Sequence, residues 1–226
     1  MKYLIASIPV LLLSVAFVLA ADEPQQKQTE EGYTSLFNGK DLSGWIYGKK
    51  GDGENKVGEG YRVKDGVIYC TKDDGGNLYT EKEYGDFSLR FEVKLTPNAN
   101  NGIGIRAPLT GDSAYVGMEI QVLDDSGSAY TKLRPAQYHG SIYDVFAAER
   151  GHQKPVGEWN EEEITAKGDH VTIKLNGATI VDADLSTVKD PAVLKKHPGL
   201  KNKTGHIGFL GHGANVEFRN LRIKEL

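Results

Sequence analysis

Three segments of this chain place glycine and polar side chains on one side of a predicted strand and apolar side chains on the other. The segments are residues 102–106, 117–122 and 206–212. Glycine inside a strand costs stability, so its repeated use on one face suggests the close approach of a ligand or another backbone. Among these glycines stand Arg106, Glu119, Gln121 and His212. A guanidinium, a carboxylate, an amide and an imidazole can together hold a polyol, and Glu119 can act as a general base or acid.

Further candidate residues lie close to these segments. Asp124 and Asp125 end the predicted strand that carries Glu119, where loops often hold functional groups, although both residues can equally be turn formers. His139 and Tyr143 alternate along the next polar stretch and could line the same cleft, although a lone histidine is often structural. For the whole set, the alternative interpretation is a sheet face that is merely solvated.

Several other chemistries lack their motifs in this sequence. There is no zinc-binding helix of the HExxH type, no GxSxG nucleophile elbow and no phosphate-binding loop. The spacing Glu119-x-Gln121-x-x-Asp124 resembles the Glu-x-Asp-x-x-Glu strand of retaining sandwich-fold glucanases, but an amide replaces the middle carboxylate. Two-carboxylate hydrolysis is therefore not indicated. Cys70 is the only cysteine and lies in an apolar run, which favours a buried thiol over a nucleophile.

The elements that must position these residues are predicted to be strands. Apolar and polar residues alternate along 87–95, 171–175 and 216–224, with a phase change at Asn220. Asn176-Gly177 between two apolar runs predicts a two-residue hairpin turn. With 27 glycines and 8 prolines between many short strands, the sequence favours an all-β fold of two antiparallel sheets, a jelly-roll sandwich.

The first twenty residues are predicted to be a signal peptide. Lys2 precedes an apolar stretch, and small residues stand before a cleavage point at Ala21. A retained membrane anchor is the competing interpretation, but the stretch is short and contains Pro9. We expect residues 1–20 to be removed, 21–32 to be a flexible leader and 33–226 to form one domain. The protein is then exported to the periplasm or the extracellular space, with no membrane attachment after cleavage.

The net charge of −4 is spread along the chain without a basic stripe, which argues against nucleic-acid binding.

Eight stretches, in order from residue 36 to residue 221, resemble the 3-keto-disaccharide hydrolase family. They are LFNGKDLSGW (36–45), DFSLRFE (86–92), NGIGIR (101–106), GMEIQV (117–122), HGSIY (139–143), GEWN (157–160), GHIGF (205–209) and VEFRNL (216–221). The resemblance implies a fold similar to concanavalin A-like lectins and glucanases, with a concave sugar-binding face. It also implies cleavage of glycosides that already carry a ketone at C3.

A C3 ketone acidifies the C2 proton, so the implied reaction is C2 deprotonation with elimination at C1, with or without rehydration. Candidate catalytic residues are Glu119, His139, Asp124 and Tyr143, and candidate substrate-binding residues are Arg106, Gln121 and His212. Glu119 or His139 would be the base, Arg106 or His212 the enolate stabiliser, and Tyr143 or Asp124 the proton donor. The sequence does not choose between a lyase and a hydrolase.

Two other functions stay open at this stage. The same fold serves proteins that only bind sugars, so a non-catalytic carbohydrate-binding domain is the main alternative, and a structural envelope protein is another. The expected ligand is a small carbohydrate, and a separate sugar 3-dehydrogenase would supply the keto-sugar. No cofactor is required by this chemistry. A structural calcium could use the oxygens of Asp112, Asp124 and Asp125, although their spacing forms no recognised loop.

Overall fold

The computed structural model describes residues 32–48, 59–72 and 75–226, so the predicted signal peptide and the leader up to residue 31 lie outside the described residues. Within the described ranges there are thirteen strands: β1 Thr34–Ser35, β2 Trp45–Tyr47, β3 Tyr61–Lys64, β4 Val67–Cys70, β5 Asn77–Thr80, β6 Phe87–Leu95, β7 Asn100–Ala107, β8 Met118–Leu123, β9 Trp159–Lys167, β10 His170–Leu175, β11 Ala178–Asp184, β12 His206–Gly211 and β13 Val216–Glu225. This part of the chain also contains two short helices, α1 Ser113–Val116 and α2 Pro191–Lys196, and four 3-10 turns, at Ser128–Tyr130, Pro135–Gln137, Leu185–Thr187 and Pro198–Lys201. No helix in this part of the chain is long and apolar enough to span a membrane.

The strands form two antiparallel sheets. The large sheet has the order β11-β10-β9-β6-β13-β4-β3, with β1 also paired to β13. The small sheet has the order β2-β5-β12-β7-β8. The prediction of an all-β sandwich of two antiparallel sheets is therefore confirmed.

The hydrophobic core lies between the two sheets and is built from the apolar positions of the alternating strands. Phe209 of β12 stacks on Trp45 of β2, with ring centroids 5.2 Å apart, and on Phe218 of β13 at 4.1 Å, so aromatic contacts join the small sheet to the large one. Cys70 is fully buried in this core, and burial raises the pKa of its thiol. The predicted buried thiol is confirmed.

Two local predictions are also confirmed at the backbone. Asn176 and Gly177 have φ angles of +50° and +88° and connect β10 to β11, where Leu175 pairs with Ala178. Positive φ at both turn residues matches the right-handed twist of the strands that they join. The phase change at Asn220 is a bulge: its φ is +54°, and the pairing of β13 with β6 shifts register there.

One loop adds a further strand-like segment to the small sheet. Residues 137–143, which we name the arm, run beside β8, and Ile142 bridges to Ile120. The backbone N–H of Tyr143 donates to the carbonyl of Glu119 at 2.9 Å, and that of Gly140 donates to the carbonyl of Gln121 at 2.8 Å. The arm therefore fixes Tyr143 directly beside Glu119.

Candidate functional site

The face of the small sheet that points away from the core brings polar and glycine positions into register across four strands. Cross-strand pairing aligns them in two rows: Tyr79, Gly208, Gly104 and Glu119 in the first, and Asn77, Leu210, Gly102 and Gln121 in the second. Of the glycines predicted to share one face, Gly102, Gly104 and Gly208 do so. We call this surface the outer face.

The space above these glycines is filled by side chains of the same chain. A Cβ atom on Gly102 would lie 2.1 Å from the Glu119 carboxylate, and one on Gly208 would lie 2.3 Å from the Tyr79 ring. Any side chain at either position would collide with these groups. The sequence suggested the approach of a ligand or a backbone. At Gly102 and Gly208 the approaching groups are instead the side chains of Glu119 and Tyr79, whereas at Gly117 the backbone of Ala107 approaches, as suggested.

Glu119 is the central acidic group of the outer face. Its side chain is only 4 % exposed, and Oε1 lies 3.3 Å from Nε2 of His212, which immediately follows β12. The His212 side chain is 30 % exposed, so the imidazole reaches solvent whereas the carboxylate that it contacts is nearly buried. A carboxylate and an imidazole in contact, on a floor of glycine, can accept and return a proton.

Tyr143 stands on the same face through the pairing of the arm with β8. Its phenolic oxygen accepts a hydrogen bond from Nε2 of Gln137 at 3.0 Å, which leaves its own proton available to a ligand. Burial raises the pKa of Tyr143, and the negative charges of Asp144 and Glu119 act in the same direction. The phenol therefore stays protonated at neutral pH and can serve as a proton donor.

Gln121 lies two residues after Glu119 on the same side of β8. Its amide nitrogen donates to the carbonyl of Gln137 at 3.4 Å, which orients the side chain. The amide oxygen is buried and has no hydrogen-bond partner among the described residues. A buried acceptor without a donor is costly, so this atom is suited to receive a hydroxyl or a water molecule.

The sequence analysis missed two residues of this site. The Tyr79 hydroxyl lies 2.5 Å from that of Ser113 and accepts from Asn77 Nδ2 at 3.1 Å, and burial raises the pKa of Tyr79. Alternation in β5, where Asn77 and Tyr79 flank Leu78, could have revealed it. Gln137 lies in a 3-10 turn of the arm, and no pattern in the sequence marks it.

Arg106 does not join the outer-face group, which corrects the sequence-based assignment. Its φ is +47°, and its guanidinium is fully buried. The guanidinium donates to the carbonyls of Gly85, Gly168 and Asn202, at 3.0, 2.8 and 3.3 Å, and to the Asp86 carboxylate at 3.0 Å. Burial lowers the pKa of Arg106, whereas Asp86 raises it. These contacts tie four parts of the chain together, so the guanidinium is occupied within the fold.

Asp124 is also used by the fold rather than presented to a ligand. Oδ1 accepts from the backbone N–H of Ser126 at 3.0 Å and from its hydroxyl at 2.6 Å, and Oδ2 accepts from the N–H of Asn98 at 2.8 Å. The residue is 2 % exposed. The turn-forming alternative describes Asp124, and a role as proton donor does not fit a buried carboxylate that accepts three hydrogen bonds within the fold.

His139 lies inside the sandwich, so the prediction that it lines the same cleft is wrong. Its Nδ1 accepts from the N–H of Leu123 at 3.1 Å, and its Nε2 lies 3.5 Å from Oε2 of Glu162, which comes from β9 of the large sheet. Both side chains are at least 99 % buried. Nδ1 is thus an acceptor, and Nε2 and the Glu162 carboxylate are near each other without forming a hydrogen bond.

The three aspartates named for calcium have separate partners. Asp112 caps α1 by accepting from the N–H of Ala114 at 3.1 Å, and Asp125 accepts from the N–H of His139 at 2.9 Å. The described residues contain no group of three or more histidine, cysteine or acidic side chains that could hold a metal ion. Calcium binding stays an untested prediction.

Comparison with known proteins gives one family match. The model of a family described as the 3-keto-α-glucoside-1,2-lyase-like domain matches residues 32–224. A 3-keto-disaccharide hydrolase of Bacteroides thetaiotaomicron is 27 % identical over 91 % of this chain and 82 % of its own length.

Solved structures agree with this match. The crystal structure of a proposed glycosyl hydrolase from Parabacteroides distasonis has a TM-score of 0.73 and 28 % identity, and the alignment covers 87 % of this chain and 94 % of that one. A Bacillus subtilis protein with a galectin-like fold has a TM-score of 0.52 at 13 % identity, over 85 % of this chain and 94 % of its own. The latter shares the fold alone, and the predicted sandwich of the concanavalin A type is confirmed.

Proposed function

This chain belongs to the 3-keto-α-glucoside-1,2-lyase-like family, and from that premise we propose that it cleaves glycosides or disaccharides already oxidised to a ketone at C3. The names of its relatives, a 3-keto-disaccharide hydrolase and a proposed glycosyl hydrolase, support the cleavage of a glycosidic bond. The observation that carries the proposal is the buried Glu119 carboxylate in contact with His212 and beside Tyr143, on the outer face.

The first step is removal of the C2 proton by Glu119. The C3 ketone acidifies this proton because the electron pair left behind delocalises onto the ketone oxygen as an enolate. When the carboxylate takes the proton it loses its charge, and its contact with His212 weakens. The Nε2–H of His212 can then donate to the enolate oxygen, so that one imidazole first orients the base and then stabilises the intermediate.

The second step is departure of the C1 substituent. The enolate electron pair forms the C1=C2 double bond, the C3 ketone is restored and the C1–O bond breaks. Tyr143 gives its proton to the leaving oxygen, which releases an alcohol and an unsaturated ketone. Water can then add at C1. Its proton passes to the Tyr143 phenolate, the Glu119 proton returns to C2, and the product is a free 3-keto-sugar. Release of the unsaturated ketone makes the enzyme a lyase, and water addition makes it a hydrolase.

Gln121 holds the sugar in this scheme, because its amide oxygen, which has no partner among the described residues, accepts from a ring hydroxyl. The Tyr79 ring is fully buried against Leu210, so it packs beside the glycines and does not itself meet the sugar. No resident cofactor takes part, because the ketone already supplies the activation. A separate sugar 3-dehydrogenase must therefore produce the substrate, and we place both reactions outside the cytoplasm on the basis of the predicted signal peptide.

The test compares the 4-nitrophenyl 3-keto-glucosides, as both anomers, with their unoxidised parents. We expect the purified protein to release nitrophenol from a keto form alone. In D₂O, we expect deuterium at C2 of the recovered substrate or product, because C2 is deprotonated. Release from an unoxidised parent at a similar rate would rule out activation by the ketone. With no release from any compound, calorimetric binding of the same sugars would instead support the non-catalytic carbohydrate-binding domain.

A further inference from the structure

Next to Tyr143, two cationic side chains surround one buried carboxylate, that of Asp144. Asp144 accepts from Arg134 at 2.6 and 2.7 Å and from the Lys196 ammonium of α2 at 2.7 Å. The Asp144 side chain is only 3 % exposed, whereas those of Arg134 and Lys196 are 65 % and 49 % exposed. This surface therefore presents positive charge to solvent and conceals the negative charge behind it.

An aromatic ring lies beside this charge. The Lys196 ammonium lies 5.4 Å from the centre of the half-buried Tyr115 ring. The Tyr115 ring also packs on that of His197, with centroids 5.1 Å apart. Asp144, which Lys196 and Arg134 contact, directly follows Tyr143 in the chain. We name Tyr115, Lys196 and Arg134 together the rim.

The arm holds the rim and the phenol as one piece. The Gln137 side chain accepts from the backbone N–H of Arg134 at 3.1 Å and donates to the Tyr143 hydroxyl at 3.0 Å. The N–H of Asp144 donates to the carbonyl of Ala136 at 2.8 Å. The positions of the cations relative to the phenol are therefore set by the fold and not by flexible side chains alone.

We propose that the rim binds the leaving group and favours an aglycone that carries a carboxylate next to a ring. This inference rests on the proposed function: because Tyr143 protonates the leaving oxygen, the surface beyond Tyr143 meets the aglycone. Arginine and lysine bind carboxylates through charge-assisted hydrogen bonds, and the partly exposed Tyr115 ring lies beside the Lys196 ammonium. Aromatic acids and uronic acids share this chemistry.

The experiment uses two 3-keto-glucosides that differ only in charge, with 4-hydroxybenzoate or 4-hydroxybenzamide as aglycone. The measured quantity is the ratio of kcat/KM for the acid to that for the amide, taken as a change from wild type so that intrinsic leaving-group differences cancel. We expect Lys196→Gln to lower this ratio about two- to five-fold, the range for an exposed ion pair, and added salt to lower it in the wild type.

Lys195→Gln is the matched control, because it makes the same change of charge at the preceding, exposed position of α2. It should leave the ratio unchanged. An equal loss from Lys195→Gln would show that net charge alone acts, and an equal loss for both substrates in Lys196→Gln would show that Lys196 only supports Asp144. Either result overturns the proposal.

A binding measurement separates this proposal from the proposed function. If the wild-type protein releases neither aglycone, the Kd values of the unoxidised glucosides of 4-hydroxybenzoate and 4-hydroxybenzamide still test the rim. Tighter binding of the acid that Lys196→Gln removes would support the rim although catalysis fails. Equal Kd values for acid and amide would overturn the rim. With the 4-hydroxyphenylethanol glucoside as a third, neutral ligand, sugar binding is checked independently of charge.

Discussion

Polar residues on the outer face and polar residues at the margins of the small sheet are of the same chemical types but have different partners. The carboxylate of Glu119 contacts one partly exposed imidazole, whereas that of Asp124 receives two hydrogen bonds from Ser126 and one from the backbone N–H of Asn98 in a neighbouring turn. The guanidinium of Arg106 donates its hydrogen bonds to three carbonyls and a carboxylate. A polar side chain whose atoms are hydrogen-bonded to the backbone stabilises the fold. One that contacts another side chain on the outer face can still bind a ligand.

The largest effect expected from this contrast is at Glu119. Glu119→Gln keeps the shape and a hydrogen bond to His212 but removes the base, so kcat on a 3-keto-glucoside should fall by about 10²- to 10⁴-fold. The melting temperature should change little, because no backbone partner is lost. Nitrophenol release and a thermal melt on the same sample measure both. Retained activity would remove Glu119 from the mechanism.

Arg106 should show the opposite behaviour. Arg106→Met removes four hydrogen bonds at once, three to carbonyls and one to the Asp86 carboxylate, so we expect the free energy of unfolding to fall by about 3 kcal/mol. The folded fraction should keep its kcat within a small factor. Urea denaturation gives the first quantity and active-site-normalised rates give the second. A stable variant with lost substrate affinity would restore the substrate-binding role that the sequence suggested.

Tyr143→Phe should have a smaller effect that depends on the leaving group. A phenolate such as nitrophenolate needs little help to depart, whereas an alkoxide needs a proton. We therefore expect roughly a ten-fold loss of kcat for a methyl 3-keto-glucoside and little loss for the nitrophenyl substrate. Parallel assays of both substrates make the comparison, and equal losses would argue that Tyr143 only shapes the site.

The smallest effect is expected at His139. His139→Asn retains an acceptor for the N–H of Leu123 but loses the contact with Glu162, so the free energy of unfolding should fall by about 1 kcal/mol. The pH profile of kcat should not move, because the imidazole lies inside the sandwich. A 100-fold loss of kcat or a shifted pH profile of kcat would make His139 a candidate base again.

The fold was accessible from sequence because alternation and turn chemistry are local properties. The face shared by Glu119 and Gln121 follows directly from their spacing of two, and the turn at Asn176-Gly177 follows from the residues themselves. Sequence alternation also counted Arg106 as a member of that face. It failed there because positive φ at a strand end redirects the side chain.

The remaining site residues depend on partners distant along the chain. The orientation of His139 depends on the N–H of Leu123 and its burial on β9, and Tyr79 reaches the face only because β5 pairs with β12. Gln137 enters through a turn that bends back to Tyr143. Such encounters are created by tertiary packing, and a single sequence carries no local signal for them.

The arm has a consequence for association between molecules. β8 is the last strand of the small sheet, and an uncovered last strand offers free N–H and carbonyl groups to another chain. By pairing with β8 through Gly140, Ile142 and Tyr143, the arm occupies those groups. The arm, which positions the Tyr143 phenol, therefore also prevents another chain from adding a strand to β8. Shortening the loop that contains it would expose a template for aggregation at the same time as it dismantled the site.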